Sequence, residues 1–215
     1  MILTTEEEAR DWFASGLGCD AATMGKLDQL VELLLAENAK QNLVSAASLD
    51  HVWVRHLADS AQLLLVSRET PSGPWLDLGS GAGFPGLIVA LLRPEIEVIL
   101  VENRAKRIGW LESTIDHLGI VNASVAGCRL EVMELTPAAT ISARAFAPLP
   151  QLIALSARFS TPQTQWLLPK GRNGRQELFE MPKTIQSMFH VEQSLTDADS
   201  VILVGHGVPQ VERRQ

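Results

Sequence analysis

Tyrosine is absent from all 215 residues, and aromatic residues make up only 5% of the chain. Any aromatic stacking on a ligand therefore falls to Phe or Trp. Cysteine is nearly absent too: Cys19 and Cys128 stand alone, with no C-x-x-C pair. That excludes a disulfide framework and the spacing of a zinc site, no metal-ligand set is expected, and a reducing cytoplasm is the expected setting. No apolar run approaches the ~18 residues that a membrane span needs. The opening "MILTTEEEAR" is acidic where a signal peptide would be basic and then apolar, so none is expected. Basic residues are outnumbered, 18 against 25 acidic, for a net charge of -7. Such a body does not coat nucleic acid nonspecifically, although local basic patches remain compatible with it. Internal repeats and low-complexity tracts are also missing.

What the chain does have is 46% hydrophobic residues, ample for one cored domain. Residues 1–70 read as a helical extension packed on that core, and 71–215 as one compact ligand-binding unit. Thr5 and Glu8 form a capping-box pattern. Leu27, Leu30, Val31, Leu34 and Leu35 recur at helical spacing and predict one apolar face. "SLDHVWVRHLADSAQLLLV" predicts a third helix, or a turn and then a helix, with Ser48 as its cap, and 67–74 a loop. Trp12, Trp53, Trp75 and Trp110 read as core.

From residue 75 the rhythm becomes strand, turn, helix. "WLDL", "EVILVE", "ASVAG", "TISAR", "QWLLPKG", "SMFHVEQSL" and "SVILVGH" are strand candidates with helical stretches between several of them. Alternating β and α elements predict a mainly parallel, doubly wound Rossmann-like α/β sheet. Two strand candidates in succession at the end predict an antiparallel edge.

The first strand runs into "LDLGSGAGFPG", four glycines in eight residues. Gly81 to Gly86 fits the dinucleotide pattern G-x-G-x-x-G, and Gly79, Gly81 and Gly83 fit D-x-G-x-G-x-G, the pattern of S-adenosylmethionine (SAM) sites. Glycines let the backbone approach a ligand with no Cβ in the way. Glu102, at the end of the second strand, is placed to grip a ribose. Both ligands carry one, so Glu102 does not discriminate. Asp77 does: a carboxylate repels a pyrophosphate and favours a sulfonium. The pattern favours SAM, with Asp77, Gly79, Ser80, Gly81, Gly83, Phe84 and Glu102 around it, and hence a class I SAM-dependent methyltransferase fold.

The expected reaction narrows by elimination. The N/D-P-P-aromatic motif of exocyclic amine methylation is missing where "SARAFAPLP" stands. Cys128 in "AGCRLE" has no proline before it, so it lacks the setting of a pyrimidine-methylating nucleophile. No histidine pairs recognisably with a carboxylate. These gaps point to a nucleophile that needs no deprotonation.

The chain closely resembles the bacterial 16S rRNA guanine-N7 methyltransferase G family, also called glucose-inhibited division protein B, from about residue 40 to 180. The resemblance rests on "QNLVSA", "RHLADS", "LDLGSGAGFPG", "VENRAKRIGWL", "CRLE", "SARAFAPL" and "LLPKG", in that order. Two departures stand out. "AATIS" occupies the place of an aromatic-Asp pair before Arg144, and Pro169 precedes Lys170 where a small or apolar residue is usual. The resemblance implies transfer of the SAM methyl group to N7 of a guanine in the 530 loop of 16S rRNA. The RNA would be presented within the small ribosomal subunit or its precursor, to a monomer with no membrane partner. Another RNA or a small molecule is the alternative substrate. It also implies that Leu130 and Glu131 frame the adenine, and that Arg144 positions cofactor or target without acting as a base. Arg55, His56, Asp59, Lys106, Arg107, Lys170, Arg172 and Arg175 are the candidate RNA-side residues.

Overall fold

The computed structural model describes residues 2–67 and 73–210. The boundary expected near residue 70, and most of the loop expected at 67–74, lie outside them. The chain opens with α1 (Glu6–Asp11), where Thr5 and Glu8 do form a capping box, followed by a wider turn over Trp12–Gly16. In α2 (Ala21–Asn38) the Asp20 carboxylate accepts the Thr23 N–H and caps the start. Leu27, Leu30 and Leu34 of α2 are fully buried, whereas Leu35, at the edge of the apolar face, is 45% exposed.

The helix, or turn and helix, expected from residue 48 is a broken series: α3 (Ala46–Leu49), a wide π-type segment over Trp53–Ala58, α4 (Asp59–Ala61) and α5 (Leu63–Val66). Ser48 lies inside α3, and its hydroxyl meets His56 Nε2 at 2.9 Å rather than capping a helix. The Glu6 carboxylate accepts the Trp53 and Val54 N–H groups, each at 3.0 Å, so α1 supplies the polar partners that this segment's start requires.

The sheet follows: β1 (Trp75–Leu78), α6 (Gly86–Leu92), β2 (Val98–Val101), α7 (Ala105–Leu118), β3 (Ala123–Ala126), β4 (Thr140–Ala143), α8 (Leu149–Ser156), β5 (Gln165–Lys170), α9 (Gly174–Phe179), α10 (Lys183–Gln186), β6 (Phe189–Gln193) and β7 (Val201–His206). Spatial order is β3-β2-β1-β4-β5-β7-β6. The strands from β3 to β5 pair in parallel. The last strand, β7, slots between β5 and β6 and runs antiparallel to both. Pro169 sits in β5 opposite Ile202, two residues past the last β4 pairing at Leu167, so its missing N–H breaks no ladder on that side.

Alternate residues of β1 feed two cores, as the pleat requires. Trp75 joins α2, the Trp53–Ala58 segment, α6 and α7 on one face, while Leu76 and Leu78 join Ile141, Leu152, Phe159 and Trp166 on the other. The N-terminal helices thus cover one side of the sheet. Gln62 reaches the opposite end of the chain: its Oε1 accepts the Leu195 N–H at 2.7 Å. No helix among the described residues is long and apolar enough to cross a membrane. Chain order reverses between β1 and β4, and a doubly wound sheet opens its ligand crevice beyond the carboxyl ends of the strands at such a point.

Candidate active site

The turn after β1 is built from three left-handed glycines, Gly79, Gly81 and Gly83, at φ of 67°, 58° and 102°. L side chains rarely adopt this backbone. The glycines divide by task. A Cβ on Gly83 would lie 2.2 Å from Leu87, and one on Gly86 would lie 2.1 Å from Leu100 and 2.8 Å from Asp77 Oδ2. Gly86 lets α6 pack directly on β1 and β2, and Gly83 leaves room for Leu87 of α6 beside Leu111 of α7. Gly79 borders the open space in front, and a Cβ on it would lie 2.5 Å from the Phe146 ring.

Two carboxylates tie this turn down. Glu102 Oε2 accepts the Gly81 N–H at 3.1 Å, and Oε1 accepts those of Asn103 and Arg104 at 2.7 and 2.9 Å. Asp77 is wholly buried: Oδ1 accepts from the Ser142 hydroxyl at 2.8 Å and Oδ2 from the Gly86 N–H at 3.1 Å. Burial pushes the Asp77 carboxyl above the usual range, against the pull of these hydrogen bonds. Asp77 supports the turn from behind and offers no oxygen to the open space in front.

In front lies a cavity of about 210 Å³ past the ends of β1 to β3, bounded by Gly79, Glu102, Arg107, Cys128, Leu130 and Phe146. Beside it, beyond β4 and β5, opens a larger cavity of about 810 Å³, whose walls include Arg55, His56, Asp59, Arg144, Lys170 and Glu177. Ala145 and Phe146 border both. Ala145 holds φ 54°, the non-glycine positive φ among the described residues, so the partition between the cavities carries backbone strain.

Arg144 organises the larger cavity. Its guanidinium donates to Asp59 Oδ2 and to the Arg55 carbonyl, both at 3.1 Å, and meets His56 Nδ1 at 3.2 Å. A guanidinium has only donors, so Nδ1 is the acceptor and His56 carries its proton on Nε2, facing the Ser48 hydroxyl. The imidazole stacks on Phe84, ring centroids 5.2 Å apart. Burial, then the charges of Arg144 and Arg55, lower the His56 pKa to about 3. It is a neutral acceptor with both nitrogens engaged.

Comparison with known proteins decides the family. The family model described as rRNA small subunit methyltransferase G matches residues 23–201. The ribosomal RNA small subunit methyltransferase G of Erythrobacter litoralis is 56% identical, over 96% of this chain and 98% of its own. That of Novosphingobium aromaticivorans is 53% identical, over 100% and 96%. The chain belongs to the rRNA small subunit methyltransferase G family. It is, coarsely, a methyltransferase of small-subunit ribosomal RNA. Solved structures carry the same fold at low identity. An RNA methyltransferase from Salinibacter ruber in complex with S-adenosyl-L-homocysteine aligns with TM-score 0.53 and 12% identity, over 72% of this chain and 94% of its own. A SAM-dependent methyltransferase from Aquifex aeolicus gives 0.55 and 14%, over 71% and 91%.

For a methyltransferase G chain the sequence-derived residues fall into three groups. Gly79, Glu102, Leu130 and Arg107 meet at the smaller cavity, and Arg55, His56, Asp59, Arg144 and Lys170 at the larger. A second group supports these walls: Asp77, Ser80, Gly81 and Gly83, with Phe84, whose ring the bonded His56 and Arg144 side chains both contact. The rest point elsewhere. Glu131 faces Arg129 in solvent at 3.3 Å and does not border the smaller cavity, although its neighbour Leu130 does. Lys106 and Arg175 are exposed, and Arg172 pairs with Asp199 at 2.9 Å. Sequence reasoning missed Phe146 and Glu177. Phe146 stands two residues after Arg144 and was visible as the aromatic of "RAF". Glu177 carries no sequence signal, because a lone acid in a short helix reads as a solvated face.

Proposed function

We propose that this chain transfers the methyl group of SAM to N7 of a guanine in the 530 loop of 16S rRNA, in the cytoplasm and as a monomer, with the RNA in the small subunit or its precursor. The observation that carries this reading is the pair of adjoining cavities sharing the Ala145–Phe146 wall. The smaller one suits an adenosine moiety. Glu102 stands where ribose hydroxyls would lie, Leu130 gives an apolar wall for the adenine, and Gly79 adds no side chain. When bound, SAM supplies an electrophilic methyl group on a sulfonium.

The larger cavity receives the target base, and Arg144 is the positioning residue between the two. Its hold on Asp59 and His56 fixes the guanidinium against Phe84, so the base enters a preformed slot. Guanine N7 is an unprotonated acceptor on the major-groove edge and attacks without a base. The residues agree: the cavity's one histidine keeps both nitrogens bonded to protein groups. A-form helices bury that edge in a deep, narrow groove, so a loop guanine, splayed from its stack, is the accessible target. The test is methylation of unmodified small-subunit rRNA with labelled SAM, followed by mapping of the label. Label on a single guanine N7 in the 530 loop is expected. Label on another base, or on RNA-free extract alone, would overturn the reading.

A further inference from the structure

Among the described residues, three carboxylates border the larger cavity: Asp59, Asp197 and Glu177. In two of them both oxygens already have a partner. Asp59 Oδ1 accepts from Gln62 and Thr196, and Oδ2 from Arg144. Asp197 Oδ1 accepts the Asp199 N–H and Oδ2 faces Arg55. Glu177 differs. Its Oε2 accepts from the Leu149 N–H at 3.0 Å and from Lys170 Nζ at 2.8 Å, while Oε1 accepts no hydrogen bond among the described residues. The side chain is held by two partners and is still 30% exposed. Lys170 is only 11% exposed and spends a second donor on the Ala147 carbonyl at 3.4 Å, which leaves one N–H of the ammonium. The cavity wall therefore presents a fixed anionic acceptor next to a cationic donor.

Resting on the guanine reading above, we propose that Glu177 and Lys170 read the Watson–Crick edge of the target base. Guanine offers there an acceptor, O6, beside two donors, N1–H and N2–H₂. Lys170 donates to O6, and Glu177 Oε1 accepts from N1–H and N2–H₂. Adenine presents a donor amine and a bare N1 in those places, so it would leave both the carboxylate and the ammonium unmatched. Sites built on buried polar partners discriminate strongly for this reason. O6 lies between N1 and N7 on the purine, so this docking leaves the N7 edge free to face the Phe146 side, where the two cavities meet. Glu177 is thus a specificity-determining residue, beyond its role in steadying the start of α8.

The test compares kcat/KM on small-subunit rRNA carrying guanine or inosine at the methylated position. Inosine keeps N7, O6 and N1–H and lacks only the amino group. The wild-type protein should lose about tenfold or more on inosine, as expected for a missing hydrogen bond to a charged acceptor. Glu177→Gln keeps an acceptor for Leu149 and removes the charge. Glu177→Asp keeps the charge and withdraws it by one methylene. Both should methylate guanine more slowly and treat guanine and inosine nearly alike, with thermal melting showing that each is folded. Equal wild-type rates on the two RNAs would overturn the proposal with no variant needed, as would full discrimination retained in either folded variant. Failure of the wild type to methylate guanine N7 at all would instead sink the functional reading on which the proposal rests.

Discussion

His56 makes stability depend on pH in a direction that its surroundings dictate. Its pKa falls from the ordinary 6.5 to about 3 in the folded chain, chiefly through burial and then through the neighbouring Arg144 and Arg55 charges. Between those values the unfolded chain binds a proton that the folded chain refuses. Stability therefore rises with pH across this window and is lost as pH falls below about 6.5; above it, His56 contributes no slope. The limiting slope is about 1.4 kcal/mol per pH unit, and acidification from pH 8 to 5 should cost about 2 kcal/mol from this group alone. Replacing His56 by Asn keeps an oxygen near the place of Nδ1, as an acceptor for Arg144, and removes the titration. The smaller side chain and the lost stacking on Phe84 lower stability by a pH-independent amount. The buried Asp77 titrates alike in both proteins and cancels. Urea denaturation of wild type and His56→Asn at pH 8, 7, 6 and 5 should give curves that converge on acidification by about 2 kcal/mol. Parallel curves, or a wild-type His56 resonance titrating near 6.5, would refute the reasoning.

Gly86→Ala puts a Cβ 2.1 Å from Leu100 and 2.8 Å from Asp77 Oδ2, so overpacking should cost about 1–3 kcal/mol, read as a lower melting temperature. Unchanged melting would mean that α6 lifts freely from the sheet. Gly81→Val meets only ordinary contacts, Arg107 at 3.5 Å and Gly79 at 3.7 Å, but sits at φ 58°, which a β-branched residue resists. The chain should stay folded while SAM affinity measured by calorimetry drops more than tenfold through loss of the turn. Cys128 borders the smaller cavity without belonging to the proposed chemistry, so Cys128→Ala should keep most activity, and single-turnover rates should be nearly flat from about pH 6.5 to 8.5, where a histidine base would titrate. A dead Cys128→Ala with intact SAM binding would point to covalent pyrimidine chemistry instead.

Local signals carried most of the fold because they coincide with packing here. The apolar "WLDL" and "VILV" are buried parallel strands, and Gly119 stops α7 at φ 59°. The insertion of β7 between β5 and β6 was not legible. Strand order depends on long-range pairing, and periodicity reports only which face is buried. The break in the third helix was hidden for a related reason. It serves polar contacts from distant residues: Glu6 caps the segment's start, and Ser48 and Arg144 hold His56 within it, positions 6 to 144 in the chain. Asp77 shows the same limit within the site. Its charge stands out in a strand and reads as a partner for a sulfonium, but the fold shows Ser142 and Gly86 bonded to its two oxygens, behind the turn.

The distribution of charge explains how an acidic protein can work on an anionic partner without sticking to every RNA. Arg55, Arg144 and Lys170 at the larger cavity pair with Asp197, Asp59 and Glu177, and the outlying Arg172 pairs with Asp199. These cations are already neutralised, so a phosphate must compete with a carboxylate to reach them. Arg104, Lys106 and Arg175 form no ion pair among the described residues, and all three are exposed at the starts of α7 and α9, elements that flank the two cavities. A single strand contacting about three such cations should show an affinity falling with salt at a log–log slope near −2. That is a weak electrostatic hold. Selectivity must then come from what the paired groups do when a base enters: the ion pairs fix donors and acceptors in place, and a base that does not match them leaves charge unsatisfied in a half-buried cavity. A slope much steeper than this would mean that RNA breaks the ion pairs on binding, and the paired groups would then serve phosphate capture rather than base recognition.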